Sequence, residues 1–296
     1  MQPETYDELE FTHYARESLY DTVDDPYFRN KDSFLIYHAL QNRLKAIPFG
    51  DYLKRYIYLK AGLEGNHTEI PLKEDFSIDV NDYVGIGKNI VIANPNAPTG
   101  LALTRDQIEQ IVKSNPDNFV LIDEAYVDFG AESAVGLVAK YDNLLVVRTF
   151  SKSYSLAGAR LGFAIGSEAL IADLEKIKYS TNPYNINRLS MIAGCRAIDD
   201  NMYYMNNCKI IARTRRSVTE TLKSWGFEVL DSSANFIFAR TDKMSGEELY
   251  LELKKRGILI RHFNKESIKD FNRITIGTED EMNAFLRAVR EILGII

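Results

Sequence analysis

The chain has 296 residues, 45% of them hydrophobic, and a formal net charge of -6. That much apolar material can bury a sizeable core, so a folded protein of one large and one smaller lobe, or two equal ones, is expected. The acidic balance excludes a general nucleic-acid binder, which needs a basic surface, and no run approaches the roughly 20 apolar residues of a membrane span.

No nucleic-acid or membrane partner is therefore expected. The opening residues 1–8 are acidic without an apolar stretch, which points to the cytoplasm. Cys195 and Cys208 show no pairing pattern, and His13, His38, His67 and His262 are scattered, so neither a disulfide scaffold nor a metal site is expected. Residues 1–66 are rich in tyrosine and charge, with helical periodicity through 35–43 and 52–63 and no strand–loop–helix unit. Gly85-Ile86-Gly87 precedes its strand instead of following it, so it is a turn and not a phosphate loop.

From about residue 89 short β-branched runs alternate with longer amphipathic ones, the pattern of an α/β fold with a mainly parallel sheet. Residues 89–93, 119–123, 144–149 and 162–166 are the strand candidates, mostly apolar as strands buried on both faces should be. Thr104-Arg105-Asp106-Gln107 is a capping box that opens the helix after the first of them. A long helix over about 202–225 carries Lys209, Arg213, Arg215, Arg216 and Lys223, read as a solvated face. Beyond it, Ser245/Glu248 and Thr278/Glu281 are capping boxes for helices near 246–256 and 279–293, with strand candidates at 235–239, 258–261 and 273–276. Residues 1–66 stay unassigned, 67–201 form a partial large domain, and 202–296 form a smaller α+β domain.

Three clusters follow apolar strands. In Thr149-Phe150-Ser151-Lys152-Ser153-Tyr154-Ser155-Leu156-Ala157-Gly158-Ala159-Arg160 a lysine stands where open α/β sheets bind ligands. Desolvation there would leave a neutral amine able to form a Schiff base, and Thr149, Ser151 and Arg160 offer the donors that hold a phosphate dianion. A surface lysine in a polar loop is an equally good reading of that segment alone. In Asp123-Glu124-Ala125-Tyr126 the carboxylate could pair with a pyridinium and the phenol with a ring oxygen. Alone, a strand-end Asp capping the next helix and a Tyr packed on the sheet is the plainer reading. Asn94-Pro95-Asn96-Ala97-Pro98-Thr99-Gly100 is by default a turn.

Taken in order, NPNAPTG, DEAY and TFSKSYSLAGAR resemble the fold-type-I pyridoxal-phosphate enzymes. Within that group the chain from about 67 to 296 is most similar to the histidinol-phosphate aminotransferases. The likeness rests on Pro183-Tyr184-Asn185-Ile186-Asn187, Ser233-Ala234-Asn235-Phe236, Gly257-Ile258-Leu259-Ile260-Arg261 and Arg273-Ile274-Thr275-Ile276-Gly277-Thr278. The resemblance implies pyridoxal 5'-phosphate as cofactor and Lys152 as the catalytic residue that carries it and moves the substrate proton. It implies Asp123 on the pyridinium, Tyr126 on the 3-oxygen, and Thr149, Ser151 and Arg160 on the cofactor phosphate. Arg261 and Arg273 would bind the substrate's anionic end; from the residues alone, Arg273 is also open to reading as a strand-end surface cation. Small-molecule partners are implied, an amino donor and a 2-oxo acid, together with a homodimer.

Two features depart from the family pattern. Ala97 stands where the family has asparagine before Pro-Thr-Gly, so the hydrogen bond to the 3-oxygen is either missing or supplied by Asn96. Residues 1–66 show neither the family's N-terminal arm nor the loop that starts a helix under the cofactor phosphate nor the ring-stacking aromatic. They read as a substitute for the N-terminal part of the large domain, through fusion, deletion or an altered reading of the gene. The implied activity is transamination between histidinol phosphate and 2-oxoglutarate, in histidine biosynthesis. A threonine-phosphate decarboxylase and a non-catalytic remnant of the fold are the alternatives.

Overall fold

The computed structural model describes residues 35–36, 68–181 and 186–295. The helical periodicity expected within residues 1–66 and the Pro183-Tyr184-Asn185 part of one motif lie outside them, save for Leu35–Ile36. The chain divides into two compact units. The first comprises Met1–Val91, Glu109–Ile122 and Ala134–Asp200, and the second Ile92–Ile108, Asp123–Ser133 and Asn201–Ile296.

One sheet contains β1 (Leu35–Ile36), β2 (Ile90–Ala93), β3 (Val120–Asp123), β4 (Leu144–Thr149) and β5 (Gly162–Ile165), in the order β1-β5-β4-β3-β2. β2 and β3 run parallel: the Ile90 N–H donates to Phe119 O at 3.0 Å and the Asn94 N–H to Asp123 O at 2.9 Å, so both strands advance together. β5 differs from the parallel expectation. It lies antiparallel to β4, with Thr149 opposite Gly162, and β1 lies antiparallel to β5 where helical periodicity had been read. The physical reason is the connection: between β4 and β5 there is only a loop and the short 3-10 turn Ala157–Ala159. A parallel return needs a crossover, usually a helix, and none is there.

The strand ranges follow from burial. Val120 and Ile122 of β3 and Leu144, Leu145 and Val146 of β4 are buried, as sheet interiors require. α1 (Arg105–Ser114) opens on the expected capping box, with the Gln107 N–H on Thr104 Oγ1 and the Thr104 N–H on Gln107 Oε1. It buries Ile108, Ile111 and Val112, one helical face. α2 (Glu168–Thr181) sets Leu170, Ile171 and Leu174 against Leu145, Val147 and Ala164. α3 (Arg188–Asp199) starts at Asn187, whose side chain accepts the Ser190 N–H.

The second unit has its own core. α4 (Asn201–Ser224), β6 (Glu228–Val229), β7 (Phe236–Arg240), α5 (Gly246–Lys255), β8 (Arg261–His262), β9 (Asn272–Thr275) and α6 (Glu279–Ile292) follow in order. Their sheet, β6-β7-β9-β8, is antiparallel throughout. Leu222, Ile237, Leu253 and Val289 are fully buried together, each contributing about 1.5–3 kcal/mol. Both expected capping boxes form, at Ser245/Glu248 and Thr278/Glu281.

Two expectations are corrected here. The strand expected over 258–261 shortens to Arg261–His262, because the Gly257 and Ile258 N–H groups are used to close α5, on Lys254 O and Leu253 O. Arg215, read as part of a solvated face, turns inward. It falls on the stripe Cys208, Ile211, Arg215, Val218, Leu222 at 3–4 residue spacing, which is the buried side of α4. Its Nη1 donates to Phe129 O at 2.9 Å and to Ala234 O, and burial pulls its pKa below the ordinary guanidinium value. Lys209, Arg213, Arg216 and Lys223 are exposed as expected. Among the described residues no helix is long and apolar enough to cross a membrane.

Candidate active site

In the first unit the loop from the end of β4 to the start of β5 carries four of the expected residues. Its shape is fixed by local hydrogen bonds. The Ser151 N–H donates to Thr149 Oγ1 at 3.0 Å, and the Thr149 hydroxyl donates to Leu161 O at 3.3 Å. The Leu156 N–H returns to Phe150 O and the Ser155 N–H to Lys152 O. Phe150 is buried, with its ring against Tyr154 and Phe163 at 4.9 and 5.6 Å, and anchors the loop to the sheet. Ser155 and Arg160 have φ of 54° and 53°, left-handed positions that cost non-glycine residues roughly 1–3 kcal/mol each. Their geometry is held by Arg160 Nη1 donating to Ala157 O at 2.6 Å and by Ser190 Oγ of α3 donating to Ala159 O at 2.8 Å.

This loop places Lys152 on the surface, so the desolvated amine argued from strand-end position is not what the geometry gives. The reason is that the chain turns beyond the last ladder residue, Thr149, before Lys152 is reached. Ser151 is the opposite case. Its Oγ is buried and has no hydrogen-bond partner among the described residues.

The remaining expected residues lie in the second unit. Asp123 ends β3, half-buried, with Oδ1 accepting the Ala125 N–H at 3.0 Å. The carboxylate thus shapes the DEAY turn that leads into the 3-10 turn Val127–Phe129. Tyr126 is half-buried, edge-on to Phe236 with centroids 5.1 Å apart. The Arg273 guanidinium lies over the same Phe236 ring at 5.1 Å, and its Nε is buried with no hydrogen-bond partner among the described residues. Phe236 therefore bridges two residues singled out from the sequence. The only signal for it was its place in Ser233-Ala234-Asn235-Phe236.

Asn96 is half-buried in a tight turn, its amide oxygen taken by the Thr99 hydroxyl at 2.9 Å and its carbonyl by the Gly100 N–H. The same stretch holds a residue that turn reasoning passed over. Asn94 is fully buried and clamps Leu103 through both amide atoms, which fixes the strand end beside Asp123. Gly100 at φ 78° lets Ser233 approach its carbonyl at 2.8 Å, and a side chain there would overlap Ser232. Arg261 is exposed, over the Phe263 ring at 5.4 Å, and sits directly opposite Arg273 in the β8/β9 register. Two like charges in that position repel.

The model of the aminotransferase class I and II family matches residues 61–289. The histidinol-phosphate aminotransferase of Brachyspira hyodysenteriae is 56% identical over 229 residues, 77% of this chain and 65% of that protein. The chain thus spans just under two thirds of that relative's length. Histidinol-phosphate aminotransferase 1 of Hydrogenovibrio crunogenus is 43% identical over 286 residues, 95% of this chain and 79% of that one, a match that takes in part of the first 66 residues. Among solved structures, the histidinol-phosphate aminotransferase of Clostridium acetobutylicum is similar with a TM-score of 0.69 at 30% identity, covering 76% of this chain and 70% of its own. The three motifs thus stand on the α/β architecture that such relatives share, and the chain belongs to the class I and II aminotransferases, a pyridoxal-phosphate-dependent family.

Proposed function

We propose that this chain moves an amino group from histidinol phosphate to 2-oxoglutarate with the aid of pyridoxal 5'-phosphate. The observation that carries the reading is the pair Arg261 and Arg273, cross-strand neighbours on one face of a sheet, one of them with a buried, unpartnered Nε. Charges so placed are stabilised by an anion, and a guanidinium fork suits a phosphate or carboxylate. The residues of the first unit fit a second anion, the cofactor's phosphate. The buried Ser151 hydroxyl lacks a partner, and Arg160 has donors beyond the one given to Ala157 O.

In this reading Thr149, Ser151 and Arg160 hold the cofactor phosphate. When bound, pyridoxal phosphate supplies an electron sink that lets the substrate's α-carbon give up its proton. Lys152 carries the cofactor, and its Nζ takes that proton and returns it; its position on the surface leaves it open to a cofactor arriving from solvent. Asp123, negative, favours the protonated ring nitrogen, while the Tyr126 hydroxyl and the Asn96 amide donate to the 3-oxygen. Arg261 and Arg273 bind the anionic end of the amino donor and then of the 2-oxo acid. A homodimer in the cytoplasm is the assembly and location that go with this activity.

The test is spectroscopic and kinetic. Purified protein given pyridoxal phosphate should be yellow, form an adduct reducible by borohydride, and turn over histidinol phosphate with 2-oxoglutarate. Lys152→Ala should lose all three. A reducible adduct that survives in Lys152→Ala would overturn the assignment.

A further inference from the structure

We propose that His262 and Asn272 are positioning residues, a back-face pair that holds Arg261 and Arg273 in register for a substrate anion. The proposal rests on the reading of the two arginines given above. Side chains alternate across a strand, so the adjacent pairs Arg261–Arg273 and His262–Asn272 point to opposite faces of the sheet. β8 is an edge strand of two residues, and so short a ladder supplies few main-chain bonds. One of its two pairs is repulsive. The other pair therefore adds to what holds the strand, beside Ile258 and Ile260, which pack on the core of this unit.

The back-face pair is built for that. Asn272 is 1% exposed, and its Nδ2 donates to Gly246 O at 2.8 Å. With the amide nitrogen committed to a carbonyl, Oδ1 is the atom that faces His262 Nδ1, 3.2 Å away. The imidazole hydrogen must then sit on Nδ1, because a carbonyl oxygen only accepts. The ring also stacks on Tyr250 of α5, with centroids 5.9 Å apart and 21° between planes. Gly246 completes the arrangement. A Cβ there would meet Asp270 O at 2.8 Å, so the start of α5 packs directly on the chain entering β9. One buried amide thus ties β8, β9 and the first turn of α5 together behind the arginines.

An asparagine can present an N–H where His262 Nδ1 now does, whereas alanine cannot. The experiment uses the full chain saturated with pyridoxal phosphate and compares His262→Ala, His262→Asn, Arg261→Gln and Arg273→Gln. Two quantities are read, the KM for histidinol phosphate against kcat, and the affinity for inorganic phosphate by calorimetric titration. His262→Ala is expected to raise KM and weaken phosphate about five- to tenfold, the size of one lost hydrogen bond, with kcat within about twofold. His262→Asn should restore both. If the two arginine variants weaken binding but His262→Ala behaves as wild type, or His262→Asn is as weak as His262→Ala, the positioning role is overturned and the anion pair stands. If neither arginine variant changes KM or phosphate affinity, the anion pair itself is refuted, and the positioning role with it.

Discussion

Ser151 and Arg273 each keep one buried polar atom unpartnered, and such an atom costs about 1–3 kcal/mol against the same group in water. A ligand oxygen removes that cost only when bound, which gives a separable signature. Ser151→Ala is expected to leave the melting temperature of the cofactor-free protein unchanged or slightly raised, while weakening pyridoxal-phosphate affinity by about tenfold. Thermal denaturation and an absorbance titration measure the two effects, and undiminished affinity would remove Ser151 from the phosphate site. Lys152, Asp123 and Tyr126 could be singled out as candidates because each belongs to a motif that follows an apolar strand, a pattern that is local in the chain. Phe236 was not legible in its role, since a phenylalanine in a strand looks like core and only folding brings Tyr126 and Arg273 onto its ring.

Helices α5 and α6 of the second unit open on reciprocal caps, and these make stability depend on pH. The Ser245 hydroxyl and backbone N–H hold the Glu248 carboxyl below its ordinary value, and the Thr278 backbone N–H and hydroxyl do the same for Glu281. A folded pKa below the unfolded one means the contribution is complete above the ordinary carboxylate range near 4.5 and is lost as pH falls through the lowered value. Melting temperature should therefore drop on acidification below about 4.5, and the Glu248→Gln/Glu281→Gln double variant should show a shallower drop. Parallel curves for the two proteins would mean the caps do not titrate in this range. The helices read over 202–225, 246–256 and 279–293 were bounded to within a residue or two, since caps and periodicity both lie within a turn of the boundary. The strand expected at 258–261 failed because the demands of the α5 terminus outcompeted β propensity.

For the molecule as a whole, cofactor loading is where a contribution of the first 66 residues would show. They carry no legible glycine-led helix start, so the cofactor phosphate is expected to rely on Thr149, Ser151 and Arg160 without converging backbone donors. The protein should then purify with substoichiometric cofactor, colour up on addition, and gain thermal stability as pyridoxal phosphate rises, by about 2.7 kcal/mol at a hundredfold excess over Kd. Exchanging residues 1–66 for the N-terminal region of a relative should tighten binding, whereas full loading straight from purification would show that these residues already supply a phosphate cradle. Family, α/β class and the order of three chemical motifs could all be read from the amino-acid string, because each depends on composition or on neighbours a few positions apart. The reversed direction of β5, the surface position of Lys152, the inward turn of Arg215 and the placing of Arg261 across from Arg273 could not. Those depend on which distant segments share a ladder or a core, and that competition is resolved only when the whole chain packs.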